Sequence, residues 1–170
     1  MTTSTLYRIR PAGPGDAPDV ASIFNETILK RDATMVLDPV SHEGMADRIG
    51  SLHERESLLV LEDSEAVVGW GIVKFYSDRP GYARTCETSV FLRRNLTGKG
   101  LGSMLQEALL EAARKAGFHH IIVRIWAANT SSIAMHAKFG FTEVGTQKEV
   151  GYVDGKWVDV TIMQCLLGTD

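Results

Sequence analysis

The spacing of apolar residues along this chain predicts four helices. A helix with Asp16 as its N-cap is expected from an apolar face made by Val20, Ile23, Phe24 and Ile28. Weaker patterns predict helices over 41–52 and 130–139. The clearest stripe begins at Leu101 and ends before Gly117, a residue expected at C′; its members are Leu101, Met104, Leu105, Ala108, Leu109, Ala112 and Ala116.

Alternating segments and short apolar runs predict seven strands, at 6–10, 57–62, 66–76, 83–92, 120–126, 141–150 and 157–166. Turn residues at 63–65 and at Asp154 and Gly155 indicate two antiparallel hairpins. The predicted order is β-α-α-β-β-β-α-β-α-β-β. Because two hairpins are interleaved with two helical crossovers, we expect a mixed sheet. No repeat or linker interrupts the pattern, which favours one α/β domain over residues 1–170.

Composition narrows the range of partners. The chain has 18 basic and 21 acidic residues and a formal net charge of −3, which gives no sign of a nucleic-acid-binding surface. No apolar run reaches the roughly 18 residues of a membrane span, so no membrane partner is expected. Residues 1–5 are polar and lack the apolar region of a signal peptide, which predicts a cytoplasmic protein. Cys86 and Cys165 are interpreted as reduced core thiols, and neither the cysteines nor the histidines show metal-ligand spacing.

The segment with the most specific pattern is the glycine-rich turn at 97–103, Thr-Gly-Lys-Gly-Leu-Gly-Ser, which joins a strand to the longest predicted helix. Glycines here leave backbone N–H groups at a helix N-terminus free to face an anion. The spacing fits neither the nucleoside-triphosphate P-loop nor the dinucleotide fingerprint. By itself the pattern is compatible with a phosphate-binding turn or with a tight turn that binds nothing.

The surrounding elements resolve this choice through a resemblance. A strand, the turn, a long helix, a strand, Asn-x-x-Ser, a short helix and Gly-Phe follow one another as in the Gcn5-related N-acetyltransferase (GNAT) superfamily. Segments 87–92, 132–141 and 151–160 are most similar to its phosphinothricin N-acetyltransferase group, which includes amino-acid N-acyltransferases. The resemblance implies a three-layer fold, with a central mixed sheet flanked by helices, and acetyl-CoA as co-substrate without a metal.

The resemblance also implies which residues bind acetyl-CoA. The strand backbone at Val90, Phe91 and Leu92 is expected to pair with the pantetheine arm, and a second set to contact the cofactor elsewhere: Thr97, Gly98, Lys99, Gly100, Leu101, Gly102, Ser103, Asn129, Ser132 and His136. Thr97 stands where the superfamily usually has Arg or Gln, and we expect Lys99 to offset that loss. The alternative for Asn129 is an ordinary helix N-cap.

Two residues are candidates for proton transfer. Glu87 lies on a strand face with mostly uncharged neighbours, and the resemblance implies a base that acts through water. Its alternative role is a structural ion pair with Arg84 or Arg124. For His136 the resemblance implies either a general acid to the leaving thiolate or part of the base relay. The alternative for His136 is a histidine on a partly buried helix face.

The acceptor is expected to be the primary amine of a small molecule, an amino acid or an analogue of the phosphinothricin or methionine sulfoximine type. Trp70, Arg79 and Tyr82 are candidate acceptor contacts on or near the loop that should cover the site. The related group often has an arginine where this chain has Ser77, so Arg79 could replace it or be a solvated loop residue. Two alternative functions are an acyl-CoA-binding sensor or partner module without catalysis and an acetyltransferase of protein amines. By resemblance, we also expect a homodimer.

Overall fold

The computed structural model describes residues 6–64 and 66–168. Within them, seven strands form one sheet: β1 (Arg8–Pro11), β2 (Ser57–Glu62), β3 (Val67–Phe75), β4 (Thr85–Leu92), β5 (His120–Trp126), β6 (Thr142–Val153) and β7 (Lys156–Leu166). The α-helices are α1 (Ala17–Lys30), α2 (His42–Gly50), α3 (Leu101–Lys115) and α4 (Thr130–Lys138). The order of elements is the one predicted from sequence.

The sheet is mixed, as predicted, with the strand order β1-β2-β3-β4-β5-β7-β6. Every adjacent pair is antiparallel except β4 and β5, because α3 carries the chain across the sheet between them. The turn at Asp154 and Gly155 has the positive φ angles of a type I′ hairpin, 47° and 78°.

The pairing between β4 and β5 is short. It runs from Thr85 opposite His120 to Glu87 opposite Ile122 and stops there. Beyond that point β4 continues alongside β3 as far as Leu92, and β5 continues alongside β7 as far as Trp126. The two strands therefore diverge, and their facing backbone edges are left without a partner strand. This opening in the middle of the sheet positions the candidate site.

Helices cover both faces of the sheet, which confirms the three-layer arrangement. On one face α1 and α2 bury Val20, Ile23, Phe24, Ile28, Met45 and Ile49 against β2 and β3. On the other face α3 packs against the sheet in a core that includes Leu109, Leu110, Ala113, Val73, Cys86, Ile121 and Val123. All four apolar residues predicted for the first helix are buried.

Two local expectations are wrong. Asp16 precedes α1, but its carboxylate caps none of the N–H groups of that helix. It accepts hydrogen bonds from Gly13 N (2.8 Å) and the Arg10 guanidinium (2.8 and 2.9 Å) instead. In α3, Met104 was expected on the buried face but is exposed, whereas Gln106 is fully buried.

Cys86 and Cys165 are both free and buried, as expected, and burial raises the pKa of the Cys86 thiol to about 12. Among the described residues, no helix has the length and apolar character needed to cross a membrane, and no group of side chains has the arrangement of a metal site. Residues 1–5, on which the cytoplasmic expectation depends, and Glu65 in the turn at 63–65 lie outside the described residues.

Candidate active site

A cavity of about 770 Å³ occupies the opening between β4 and β5. Its walls are residues 88–92 of β4 and residues 123–126 of β5, together with the glycine turn and one side of α4. Thr27 and residues 31–33, at and after the end of α1, close one end. The cavity therefore brings together three features that are far apart in sequence: the unpaired strand edges, the glycine turn and the α4 face that carries His136.

The glycine turn has a conformation that suits an anion. Gly98 and Gly100 have φ angles of 77° and 80°, in the left-handed region that favours glycine. Gly100 occupies the N-cap position of α3, where no side chain caps the helix and no acidic residue lies in the first turn. The N–H groups of residues 101–103 consequently have no partner within the helix. Together with the helix dipole they make this end of α3 suitable for a phosphate group.

The side chains of the turn contribute less than expected. Thr97 lines the cavity, but its hydroxyl donates a hydrogen bond to the Arg94 carbonyl at 3.1 Å. Lys99 is exposed and does not line the cavity, so the structure does not place it as the replacement for the missing cation. Leu101 is buried in the core and can offer only its backbone. The cation that does line this region is Arg94, which sequence reasoning missed and which forms an ion pair with Asp32.

The N-terminus of α4 forms another part of the wall. Asn129 is its N-cap, as the structural alternative predicted: Oδ1 accepts hydrogen bonds from Ser132 N at 3.2 Å and from Ser131 Oγ at 3.1 Å. Because Oδ1 is used in this way, the Nδ2 group remains for another partner. Asn129 and Ser132 both line the cavity.

His136 lies one turn after Ser132 on the same face of α4, as their spacing predicts. The ring is buried, lines the cavity and packs edge-on against Phe141 with a centroid distance of 5.1 Å. Nδ1 lies 2.8 Å from the Ser132 carbonyl oxygen. Since a carbonyl only accepts, Nδ1 carries the proton and Nε2 has a free lone pair. Burial lowers the pKa of His136, which keeps the ring neutral near pH 7.

Glu87 lies just before the point where β4 and β5 separate. Its side chain is 14% exposed and does not line the cavity. Oε2 is 2.7 Å from Arg124 Nη1 and 3.9 Å from Lys74 Nζ. The ion pair that was the alternative role for Glu87 is therefore present, and its main partner is Arg124 rather than Arg84. An ion-paired carboxylate in this position could reach an amine in the cavity only through an intervening water.

The expected acceptor contacts lie outside the cavity. Trp70 is 0% exposed and packs between Phe24 and Phe91, so the expectation that it touches a substrate is wrong. Arg79 is exposed in the loop after β3. Tyr82 packs against the ring of Tyr76 and lines no part of the cavity. This loop does not cover the site because β3 is paired on both sides and ends away from the opening.

The loop that follows α1 begins at the cavity wall, with residues 31–33. Arg31 donates a hydrogen bond from Nη1 to the Leu37 carbonyl at 2.6 Å, and its Nε lies 3.6 Å from Asp154 at the tip of the β6–β7 hairpin. Met35 packs against Gly151 in the same hairpin, where a Cβ would lie 2.5 Å from Met35 Cε. The loop is thereby held against the hairpin. Sequence reasoning did not identify this role, because it depends on contacts between residues more than 100 positions apart.

A mixed sheet that divides around a cavity, with an uncapped helix N-terminus at one end, is the arrangement that the resemblance to acetyl-CoA-dependent acetyltransferases implies. Comparison with protein families agrees: the acetyltransferase (GNAT) family model matches residues 24–141. The chain belongs to this family.

Similar proteins cover almost the whole chain. The L-methionine sulfoximine/L-methionine sulfone acetyltransferase of Pseudomonas paraeruginosa is 34% identical over 161 residues, which are 92% of each chain. The phosphinothricin acetyltransferase of Sinorhizobium meliloti, solved with acetyl-CoA, is 31% identical with a TM-score of 0.91, covering 95% of this chain and 89% of that one. The ribosomal-protein-alanine N-acetyltransferase of Brucella melitensis is 33% identical with a TM-score of 0.90, covering 94% and 99%.

Proposed function

We propose that residues 1–170 act as one N-acetyltransferase domain that transfers the acetyl group of acetyl-CoA to the primary amine of an amino acid or an analogue of the phosphinothricin or methionine sulfoximine type. The observation that carries the proposal is the cavity, which joins the uncapped N-terminus of α3 to the open edges of β4 and β5 and is also lined by charged residues at and after the end of α1.

The donor half of the cavity fits acetyl-CoA in three respects. The N–H groups at the start of α3 suit the pyrophosphate. The free backbone edge at Val90, Phe91 and Leu92 suits the amide-bearing arm, which would add to β4 as a strand does. The buried hydroxyl of Thr88 has no partner within the described residues and lines the same space. When bound, acetyl-CoA supplies the activated acyl carbonyl.

Proton transfer belongs to His136 and Glu87. With Nδ1–H held by the Ser132 carbonyl, the Nε2 lone pair of His136 accepts a proton from the acceptor ammonium group. The protonated ring then carries a proton that it can give to the leaving thiolate. This order makes His136 a base first, which favours the relay role over that of an initial acid. Glu87 acts through water and, by its ion pair, keeps negative charge next to the incoming ammonium.

The loop after α1 lines the cavity and is held against the β6–β7 hairpin, which favours a small molecule as the acceptor. A second candidate is acetylation of a protein N-terminus, because a relative at 33% identity has the name of such an enzyme. A peptide would need that loop to move, whereas an amino acid would not. This difference makes the small amine the first choice.

Calorimetric titration with acetyl-CoA, followed by a free-thiol release assay, tests the proposal. The acceptors would be phosphinothricin, methionine sulfoximine, L-methionine sulfone and a peptide with an N-terminal alanine. We expect binding, and thiol release with the amino acids but not the peptide. Release with the peptide alone would favour the second candidate. Binding without release from any amine would indicate the sensor or partner module, and absence of binding would contradict the proposed donor.

We further propose a cytoplasmic homodimer. Two free, buried cysteines without a disulfide are typical of a reducing compartment. Support for a dimer comes from β6, an edge strand, and from the rings of Tyr152 and Trp157, which face each other across the hairpin at 4.8 Å and are 58% and 63% exposed. Exposed aromatic pairs beside an unpaired strand edge favour association with another protein surface, and a second copy is the proposed occupant.

A further inference from the structure

The cations that line the cavity are the remaining candidates for contact with the acceptor. Neither Ser77 nor Arg79 reaches the cavity, so an acceptor carboxylate would need another positive partner. Three arginines line it, namely Arg31, Arg94 and Arg124. Arg31 is occupied by the Leu37 carbonyl and by Asp154. Arg94 is occupied by Asp32.

Arg124 differs from the other two arginines because its ion-pair partner is Glu87, the candidate base. It lies on β5, on the sheet face opposite the core residues Val123 and Ile125, and its side chain is 42% exposed. Nη1 pairs with Glu87, and the guanidinium lies 5.6 Å from the ring centroid of Tyr76. Within the described residues Arg124 forms no other ion pair. These contacts fix the group on one side and leave the remaining donors of the guanidinium available.

We propose that Arg124 binds the carboxylate of the acceptor and is therefore the residue that makes this enzyme select amino acids over simple amines. The inference rests on the proposed function, which it deepens by assigning an acceptor contact. A guanidinium held in one plane presents paired N–H groups that match a carboxylate. An α-amino acid carries its ammonium beside its carboxylate, and the adjacent Arg124 and Glu87 offer the complementary pair of charges.

Two tyrosines hold the guanidinium of Arg124 in position and take no part in the chemistry themselves. Tyr76 packs against the guanidinium of Arg124, and Tyr82 packs edge-on against Tyr76 with a centroid distance of 5.2 Å. Tyr82 is predicted from the sequence to contact the substrate. In the structure it supports the acceptor site only indirectly, through Tyr76. A carboxylate bound at Arg124 would place the neighbouring amine on the Glu87 side of the opening. His136 completes the same cavity from α4.

The test compares acceptors that differ only in the carboxylate. Thiol release would be measured with L-methionine sulfone, its primary amide and the amine that lacks the carboxyl group, using wild type, R124M and R124K. R124M keeps an unbranched apolar stem without the guanidinium charge, and Lys74 remains beside Glu87. R114M removes an exposed arginine near the end of α3, away from the cavity, and is the matched control.

For wild type we expect kcat/KM to favour the acid over both neutral acceptors. In R124M, kcat/KM for the acid should fall about 10- to 100-fold, the loss typical of a charge-assisted contact, with little change for the amide and in the KM for acetyl-CoA. R124K should recover part of the preference, and R114M should retain all of it.

Equal losses for acid and amide in R124M, or a wild type without preference for the acid, would overturn the assignment of Arg124 while the proposed function stands. Absence of thiol release from every acceptor, the peptide included, would overturn the proposed function and this inference with it.

Discussion

At the scale of single residues, His136 has one ring nitrogen engaged by the protein and one available for chemistry. The Nδ1 proton is held by the Ser132 carbonyl, and burial lowers the pKa of the ring below its ordinary value of 6.5. This geometry supports the proposed relay role, one of the two roles that the sequence left open. A neutral ring whose only proton is already donated has to accept a proton before it can give one.

Replacement of His136 by Gln should lower kcat by about 10²- to 10⁴-fold, the range for loss of a general base, and should leave the affinity for acetyl-CoA nearly unchanged. Steady-state kinetics and calorimetry measure the two quantities. Unchanged turnover would exclude the relay.

The same substitution should change the pH dependence of stability. Because the pKa of His136 is lower in the folded than in the unfolded chain, the unfolded chain takes up the proton first as the pH falls through 6.5. Wild type should therefore be fully stable with respect to this group above pH 6.5 and lose stability below it, by at most about 1.4 kcal/mol per pH unit. Denaturant unfolding between pH 8 and 5 should show a smaller loss for H136Q. His42→Gln, at an exposed position at the start of α2, should behave like wild type.

Glu87→Gln removes the negative charge while keeping the shape of the side chain. We expect a lower kcat with unchanged binding of acetyl-CoA, because Glu87 lies outside the cavity wall and acts on the amine through water. Kinetics with saturating acetyl-CoA measure the first quantity, and calorimetry measures the second. A variant as active as wild type would remove Glu87 from the mechanism.

The contrast between Glu87 and Trp70 explains how far single residues could be assigned from the sequence. Both lie on strands where alternation defines two faces. The resemblance made Glu87 a candidate base, and the structure has it at the last paired position before β4 and β5 separate. Trp70 lies on β3, a strand that is covered by helices on both faces along nearly its whole length. Neither of its faces was available to a ligand, and strand periodicity alone does not reveal that both faces are buried.

At the scale of elements, the glycine turn was predictable because its conformation depends on residues within the turn itself. The face of α3 was less predictable. The helix packs on the sheet and also approaches α4, where Gly102 lies so close to Met135 that a Cβ would be 3.3 Å from its sulfur. Gln106, four residues further along the helix, is also fully buried. An apolar stripe predicts the face of a helix that packs on one neighbour. It does not reveal a second face that packs on another.

Gly100→Ala tests the turn. Alanine in the left-handed conformation of Gly100 should cost about 1–2 kcal/mol of folding stability and, by shifting the N–H groups at the start of α3, should weaken acetyl-CoA binding. Gly15→Ala is the matched control, since Gly15 has no atom within 4 Å of a built Cβ and no positive φ. Denaturant unfolding and calorimetry measure the two effects. If both variants bind acetyl-CoA like wild type, the turn does not hold the cofactor.

At the scale of the whole molecule, the sequence predicted the order of elements and the mixed sheet, and the resemblance predicted the three layers. Neither the sequence nor the resemblance predicted the acceptor end of the cavity. That region depends on where pairing between β4 and β5 stops and on the contact of the loop after α1 with the β6–β7 hairpin. Both result from packing between distant segments. The half of the cavity that fits acetyl-CoA is built from local motifs. Arg124, by contrast, reaches Glu87 only because β5 lies beside β4.

The proposed dimer is likewise a property of the whole molecule. Sedimentation of wild type at micromolar concentration should give twice the chain mass of 18.7 kDa. Trp157→Glu places a charge in the exposed aromatic pair and should yield a monomer with an intact fold, because the ring contributes little to the core. Leu29→Glu makes the same change at an equally exposed apolar position on α1 and should remain dimeric. A monomeric wild type would contradict the dimer, and a monomer only with the Leu29 variant would move the interface from the hairpin to α1.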